Sequence, residues 1–352
     1  MSIIFAILIF SLLIFVHELG HFLTAKAFGI QVNEFALFMG PAIWKKQIGE
    51  TLYSIRCIPI GGYCAMEGED EETDNPRSFQ KAAWWKRGIV LVAGAFMNFV
   101  IGVVMIAIVV APMKQVPVLE VQSFAEYSTL DDYGLQVGDE ILEMDGEKMY
   151  QYGDFSLILS VNPGETHDLV VLRNGVKVEL NDFRMEKHTV VEEDGTENQY
   201  YGVTFGYEDL TFGVKLRYIW NQAIDYVRSV RLSLQMLISG QAGFMDLGGP
   251  VAIVDTMNEV AQASDTWVHA LLNMVSFGAL IAVNLAVMNL LPIPALDGGR
   301  VVALLLTTLI EAITKKKINP KYEGYIHAGF MILLMILMVV ILFKDIFVIF
   351  KG

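Results

Sequence analysis

Cysteine is scarce in this chain: there are two among 352 residues, Cys57 and Cys64, and they lie close together. A disulfide framework needs several cysteines spread over the domain that it stabilises, so the sequence excludes a disulfide-rich secreted fold. A cysteine zinc site is also disfavoured, because no second pair of cysteines accompanies this one.

Positive charge is also in short supply, with 25 Lys and Arg against 39 Asp and Glu. The imbalance lies in residues 115–270, which hold 26 acidic and nine basic side chains. Phosphate binding requires the opposite sign, so nucleic acid is excluded as a partner. A solvated acidic surface is sufficient to explain the charge.

Apolar residues, by contrast, are abundant, at 54% of the chain. A helix needs ~20 apolar residues to cross a bilayer. Four stretches meet that length: Ile3–Phe28, Ile89–Ala111, Leu271–Leu291 and His327–Phe350. They predict a polytopic α-helical membrane protein with about four transmembrane helices and the lipid bilayer as its environment.

A metal motif lies at the end of the first stretch, where residues 17–21 read H-E-L-G-H. Positions i and i+4 share one face of a helix, so His17 and His21 can present two imidazoles to one metal ion. Glu18 lies beside them and can take a proton from water at the metal. Ionisable groups at membrane depth are costly, which favours a functional site over a solvated helix face. We also expect this stretch to be retained, because a cleavable signal peptide would have a basic start and a small-residue cleavage site.

A second motif ends the third stretch, where residues 289–299 read N-L-L-P-I-P-A-L-D-G-G. The two prolines end the helix, and irregular backbone at membrane depth is tolerated only against protein or a cavity. Catalytic zinc has three protein ligands and leaves a position for water, and Asp297 is the best third ligand available. Asn289 can contact a substrate carbonyl or an oxyanion, although packing would also explain it.

Basic residues near the helix ends predict the topology, because cytoplasmic loops are enriched in Lys and Arg. They flank the first and last loops: Lys26, Lys81, Lys86, Arg87, Arg300, Lys315, Lys316, Lys317 and Lys321. We therefore expect a multi-pass plasma-membrane protein with the metal site near the cytoplasmic side. Both termini and the middle segment would lie outside.

Two further segments have a recognisable pattern. Thr51–Met66 is β-prone and contains Pro59, which predicts either a small hairpin or a sheet edge that an extended peptide could join. Lys215–Gly240 has the apolar spacing of an amphipathic helix, which would lie on the membrane surface or pack on the middle domain. Within the second stretch, Gly94 and Asn98 are expected to serve helix packing.

The middle segment resembles a PDZ domain. Residues 134–141 read G-L-Q-V-G-D-E-I and match the G-L-x-x-G-D-x-I pattern of that family, and Asn174-Gly175 suits a hairpin turn. The resemblance implies a small β-rich module of roughly 90 residues from Val116 that takes a peptide on a sheet edge. A purely steric cap over the membrane site is the alternative.

With both metal motifs in place, the sequence closely resembles, over nearly its whole length, the site-2 protease family, in particular bacterial intramembrane proteases of the RseP/RasP type. The family pairs H-E-x-x-H in the first span with N-x-x-P-x-P-x-L-D-G-G at the end of the third. Residues 58–63, I-P-I-G-G-Y, look like its membrane-associated β-loop, and residues 247–253, L-G-G-P-V-A-I, also match. The resemblance implies Zn2+ bound by His17, His21 and Asp297, with Glu18 as general base and Asn289 near the scissile bond.

The expected fold is therefore a membrane protein with an inserted PDZ-like α/β module. We expect an N-terminal membrane half (1–114), a PDZ-like extracytoplasmic domain (115–210), an amphipathic helical linker (211–270) and a C-terminal membrane half (271–352). The resemblance implies cleavage of single-span membrane proteins, either anti-sigma factors already trimmed outside by another protease or remnant signal peptides. A catalytically silent PDZ-bearing scaffold is the alternative, although it would be expected to lack Glu18. A metal transporter would need further intramembrane carboxylates or histidines.

Overall fold

A computed structural model describes residues 2–69, 73–191, 196–315 and 320–351 of the chain. Lys316 and Lys317, which entered the topology prediction, lie outside the described residues. The chain divides into two compact units, Met1–Val109 with Ala242–Gly352 and the inserted Val110–Gln241.

The described residues form helices and strands in the following order along the chain. The helices are α1 (Ser2–Ala27), α2 (Trp84–Val110), α3 (Asp154–Val161), α4 (Phe212–Ser239), α5 (Pro250–Gln262), α6 (Trp267–Asn289), α7 (Asp297–Thr314) and α8 (Pro320–Lys351). The strands are β1 (Val32–Ile48), β2 (Thr51–Met66), β3 (Gln115–Phe124), β4 (Glu140–Met144), β5 (Glu147–Lys148), β6 (Thr166–Arg173), β7 (Val176–Arg184), β8 (His188–Val191), β9 (Glu197–Tyr200) and β10 (Val203–Asp209).

The four predicted membrane spans are confirmed as helices. Those long and apolar enough to cross a membrane are Ile3–Ala27, Trp84–Val110, Trp267–Asn289 and Gly324–Val348. The helix α2 begins at Trp84, earlier than the predicted Ile89, because the helix continues through residues 84–88 although Lys86 and Arg87 are too polar to count as part of an apolar stretch. The helix α6 ends at Asn289, earlier than the predicted Leu291, because a residue before proline is driven out of the helical conformation. The chain is a multi-pass membrane protein.

In the membrane unit, β1 and β2 form a bent antiparallel pair beside α1. The extended conformation predicted for Thr51–Met66 is confirmed as β2, whereas β1 was not predicted. The first half of β1 lies between both halves of β2, since Phe35 pairs with Tyr53 and with Cys64. Leu52–Ile55 also pairs with residues 44–47 of β1. The predicted sheet edge is therefore wrong for that half of β2, which has a partner strand on each side. Gly62–Met66 is the half that has no partner strand on one side among the described residues.

The inserted unit contains an antiparallel sheet in the order β10-β3-β4-β6-β7, with β5 paired to β4. Asn174 and Gly175 both have positive φ, at 50° and 80°, and join β6 to β7 as the two-residue turn that their sequence predicts. The helix α3 packs its Ile158 into the buried core of this sheet. This sheet-rich unit is consistent with an inserted PDZ-like module.

The amphipathic helix predicted from Lys215 is present as α4. The Thr211 side chain caps its first turn by accepting a hydrogen bond from the Val214 amide, and Gly240 ends it with φ of 76°. Arg231 forms an ion pair with Glu147 at 2.7 Å, and Arg228 lies 2.6 Å from the buried Asp154. Of the two predicted locations, the structure shows α4 packed on the inserted sheet.

Candidate metal centre

Two histidines of α1 converge on a common point. His17 and His21 lie on one face because α1 is continuous through the motif, and their Nε2 atoms are 3.1 Å apart. The rings meet edge to face, with an interplanar angle of 81°. His21 is buried and His17 is half-buried, so the pair is shielded from bulk water.

Asp297 reaches the same point from the other half of the membrane unit. It is the first residue of α7, and its Oδ2 lies 3.2 Å from Nε2 of His17 and 3.4 Å from Nε2 of His21. The turn before it is tight: an added Cβ at Gly298 would lie 2.3 Å from the Leu290 carbonyl carbon. The glycines of the motif are therefore required by close backbone approach.

The turn before Asp297 is also held by the last helix. Ala295 has φ of 86°, an uncommon conformation for a residue with a side chain, and its amide donates to Nδ1 of His327 at 2.8 Å. His327 therefore connects α8 to the segment that carries the carboxylate.

The three converging atoms fit one zinc ion. Tetrahedral ligand atoms at ~2.0–2.2 Å from zinc stand roughly 3.3–3.6 Å apart, close to the three separations observed. Within the described part of the chain, the Asp297 Oδ2 is buried and has no hydrogen-bond donor despite its two imidazole neighbours. These three residues form a group of potential metal ligands among the described residues.

The facing surface of α2 orients the imidazoles. Nδ1 of His21 donates to the Val90 carbonyl oxygen at 2.8 Å, which leaves Nε2 with a free lone pair. Gly94 makes room for both rings, since an added Cβ would lie 2.3 Å from Nε2 of His21 and 2.7 Å from Cε1 of His17. Asn98 follows one turn further on, and its Nδ2 lies 3.3 Å from Nδ1 of His17.

The two remaining candidate residues have different surroundings. Glu18 is half-buried, accepts a hydrogen bond from the Cys64 backbone and lies within electrostatic reach of His17, His21 and Asp297. Asn289 is the last residue of α6 and is half-buried. Among the described residues no hydrogen bond joins its amide to the three converging side chains.

Sequence reasoning missed the contribution of α2 and α8. Gly94 and Asn98 were interpreted as packing residues, although their spacing of four, continued back to Val90, places all three on one helix face. That spacing was the available signal. His327 had no comparable signal, because its contact with Ala295 depends on how α8 packs.

Comparison with known proteins agrees with this geometry. A family model described as Peptidase family M50 matches residues 5–337. The chain is 37% identical over 352 residues to a candidate zinc metalloprotease of Clostridium perfringens, with 98% of each chain covered. It is 33% identical to another from Clostridium acetobutylicum, over 98% of this chain and 97% of that one. A Bacillus subtilis protein named regulator of sigma-W protease RasP is 27% identical, with 98% of each chain covered.

Proposed function

Because this chain belongs to peptidase family M50, the site-2 protease family of zinc metalloproteases, we propose that it hydrolyses peptide bonds within the transmembrane segments of single-span membrane proteins. The observation that carries the proposal is the convergence of His17, His21 and Asp297 on one point beside a membrane-spanning helix. A site on a membrane-spanning helix is poorly accessible to a soluble peptide, whereas a transmembrane substrate can approach it from the bilayer.

The proposed ligands are Nε2 of His17, Nε2 of His21 and Oδ2 of Asp297. When bound, zinc supplies Lewis acidity that polarises the scissile carbonyl and the attacking water. Three protein ligands leave one coordination position open, and this is where water and the substrate carbonyl would meet.

Glu18 is the proposed general base. Its carboxylate interacts electrostatically with the three converging groups but is not one of them, so it remains available to accept the proton of the attacking water. The same carboxyl group then returns that proton to the leaving amine. The hydrogen bond from the Cys64 backbone supports this role, because it orients the carboxylate. Asn289 is proposed to hold the substrate near the scissile bond.

The substrate must be extended where it is cut, because a helical peptide bond is hydrogen-bonded and shielded. The open side of Gly62–Met66, where the Cys64 amide already donates to Glu18, is the proposed docking edge. An added Cβ at Gly62 would lie 3.4 Å from Cγ of Glu18, so this edge runs directly past the proposed base. Main-chain hydrogen bonds along a strand edge hold a peptide with little regard to its side chains.

The proposed substrates are anti-sigma factors or remnant signal peptides that another protease has already trimmed outside the membrane. The name of the Bacillus subtilis relative, a regulator of sigma-W protease, supports the first class. We propose that residues 115–210 act as a PDZ-like extracytoplasmic module that excludes untrimmed proteins, with 211–270 as the linker between the membrane halves 1–114 and 271–352. The metal centre would then lie near the cytoplasmic side of the plasma membrane.

Cleavage of a tagged single-span reporter with a short outer stub tests the proposal. The wild type should release the product, and Glu18→Gln should not, although both proteins retain zinc. Equal cleavage by the two proteins would remove Glu18 as the base. Absence of product from both, with zinc bound and several reporters tried, would favour the peptide-binding scaffold.

A further inference from the structure

Asn98 is a buried polar residue of α2 whose hydrogen bonding is incomplete. Its side chain is 2% exposed, and its Nδ2 lies 3.3 Å from Nδ1 of His17. Its Oδ1 is buried and has no hydrogen-bond partner among the residues that the structure describes. An amide oxygen stranded at membrane depth is costly, since no water is present to bond it.

The tautomer that His17 needs as a metal ligand conflicts with that orientation of the Asn98 amide. Nε2 of His17 points at His21 and Asp297, so it is the ring nitrogen that gives its lone pair to a metal. The ring proton must then be on Nδ1, which becomes a donor. With the Nδ2 of Asn98 toward the ring, this N–H faces the N–H groups of the amide, and two donors cannot form a hydrogen bond. A half-turn of the amide exchanges its oxygen and nitrogen and leaves its shape unchanged.

We propose that Asn98 presents Oδ1 to His17 and accepts the hydrogen bond of its Nδ1–H. One rotation then satisfies the stranded oxygen and provides the proton on Nδ1 with an acceptor. Asn98 is thus a positioning residue for zinc binding, which fixes the ring orientation and tautomer that leave Nε2 free. This role rests on the proposed zinc ligands.

The arrangement on the neighbouring histidine supports the assignment. Nδ1 of His21 already donates to an oxygen, the Val90 carbonyl, on the same face of α2. The two imidazoles therefore have equivalent partners on one face of α2, a backbone oxygen for His21 and a side-chain oxygen for His17. Ligating histidines in metalloproteins usually donate their second ring N–H to an oxygen acceptor in this way.

Zinc affinity of the full-length protein in detergent tests the inference, measured by competition with a chromophoric chelator for wild type, Asn98→Leu and Asn98→Asp. Leucine has a similar size but no acceptor, so we expect its zinc affinity to fall by about 10- to 100-fold. Aspartate retains an acceptor and has no donor, so its affinity should equal or exceed that of the wild type.

Two outcomes would overturn the inference. If Asn98→Asp binds zinc as weakly as Asn98→Leu, the amide nitrogen is the group that His17 needs. If Asn98→Leu binds as tightly as wild type, Asn98 serves packing alone. Thermal unfolding without zinc shows whether each variant folds, and if Asn98→Leu does not, the comparison of Asn98→Asp with wild type decides by itself. Asp297→Ala reports separately on the proposed ligands, since equal zinc affinity of that variant and wild type would contradict the ligand set and not the Asn98 contact.

Discussion

The Oδ2 atom of Asp297 lies 3.2 Å from Nε2 of His17, and this approach joins the start of α7 to α1. The membrane unit is discontinuous in sequence, because residues 110–241 form a unit of their own between its two parts. A zinc ion bound at this point would therefore link the two parts of the membrane unit. Stability and activity should both depend on the metal, because a ligand that binds only the folded state stabilises that state.

Replacing Asp297 with alanine should remove bound zinc and leave the protein in the membrane. Two imidazoles alone provide one ligand fewer than a catalytic zinc site requires. Metal analysis of the purified protein measures the effect, with Asp265→Ala, an exposed aspartate before α6, as the matched control. Full zinc content in Asp297→Ala would contradict the ligand assignment.

Gly94→Ala should lose zinc while α2 itself becomes more stable. The added Cβ would lie 2.3 Å from Nε2 of His21, so the imidazole must move, yet alanine favours a helix over glycine by about 1 kcal/mol. Gly88→Ala is the matched control, because a Cβ there meets only Cδ2 of Leu304, at 4.0 Å. Retained zinc in Gly94→Ala would show that α2 can withdraw from the histidines.

Several features of this fold could be predicted from local sequence. The four spans follow from apolar length, and the Asn174-Gly175 turn and α4 follow from local pattern. His17 and His21 could be assigned to one site because positions four residues apart lie on the same face of a helix. Asp297 could be associated with them only through the resemblance and the chemistry of a third ligand.

The features that could not be predicted depend on contacts between distant segments. The strand β1 contains Gly40 and Pro41 and lacks a clear alternation, and it is stabilised by pairing with both halves of β2. The contact of Val90 with His21 needs the α1–α2 packing, since a backbone carbonyl carries no sequence signal. The same holds for His327 and the Ala295 amide.

His327→Ala should weaken the site without destroying it. Loss of the hydrogen bond from the Ala295 amide costs about 1 kcal/mol, roughly fivefold, and lets the strained turn before Asp297 relax. We expect a zinc affinity or turnover several-fold below that of the wild type, measured by chelator competition and reporter cleavage. His269→Ala, an exposed histidine of α6, should match the wild type. Zinc affinity and turnover of His327→Ala equal to those of the wild type would mean that other contacts hold the turn.

A buried acidic pair should make the inserted unit less stable as pH rises. Burial raises the pKa of Asp225, and the neighbouring Asp154 raises it further, whereas Arg228 opposes both effects. The folded state therefore holds a proton at pH values where the unfolded aspartate, with a pKa of ~3.9, has lost it. Unfolding free energy then falls as pH rises from the unfolded towards the folded pKa.

Asp225→Asn should remove that loss, because asparagine resembles the protonated aspartate at every pH. We expect the variant and wild type to be similar at or below pH ~4 and the variant to be more stable near pH ~8, by on the order of 1 kcal/mol or more. Hydrogen exchange of residues 110–241 in the full-length protein measures this difference in the stability of the inserted unit. Asp132→Asn, at an exposed aspartate, is the control and should leave the pH dependence unchanged. A variant that is less stable than wild type near pH ~8 would show that Asp225 is ionised in its pair with Arg228.

Removing the inserted sheet should change which substrates are cut and leave the chemistry intact. Gln115 pairs with Asp209 across β3 and β10, and the Leu210 amide donates to the Lys114 carbonyl at 2.8 Å. A short Gly-Ser linker can therefore replace 115–209 without stretching the chain, although α4 then loses Asp154 and Glu147, the partners of Arg228 and Arg231. All the proposed ligands and Glu18 lie in the other unit, so zinc content and cleavage of a trimmed reporter should persist.

The same deletion should allow cleavage of an untrimmed reporter, one that retains a folded outer domain and that the wild type leaves intact. The reason is that the module is proposed to exclude untrimmed proteins from the site, and the deleted protein lacks that module. Glu18→Gln in the deleted protein is the control, because any product that it forms comes from another protease. If zinc persists but the trimmed reporter is no longer cut, the module takes part in presenting the substrate. If the untrimmed reporter stays intact while the trimmed one is cut, selection resides in the membrane unit, and Gly62–Met66 becomes the segment to test.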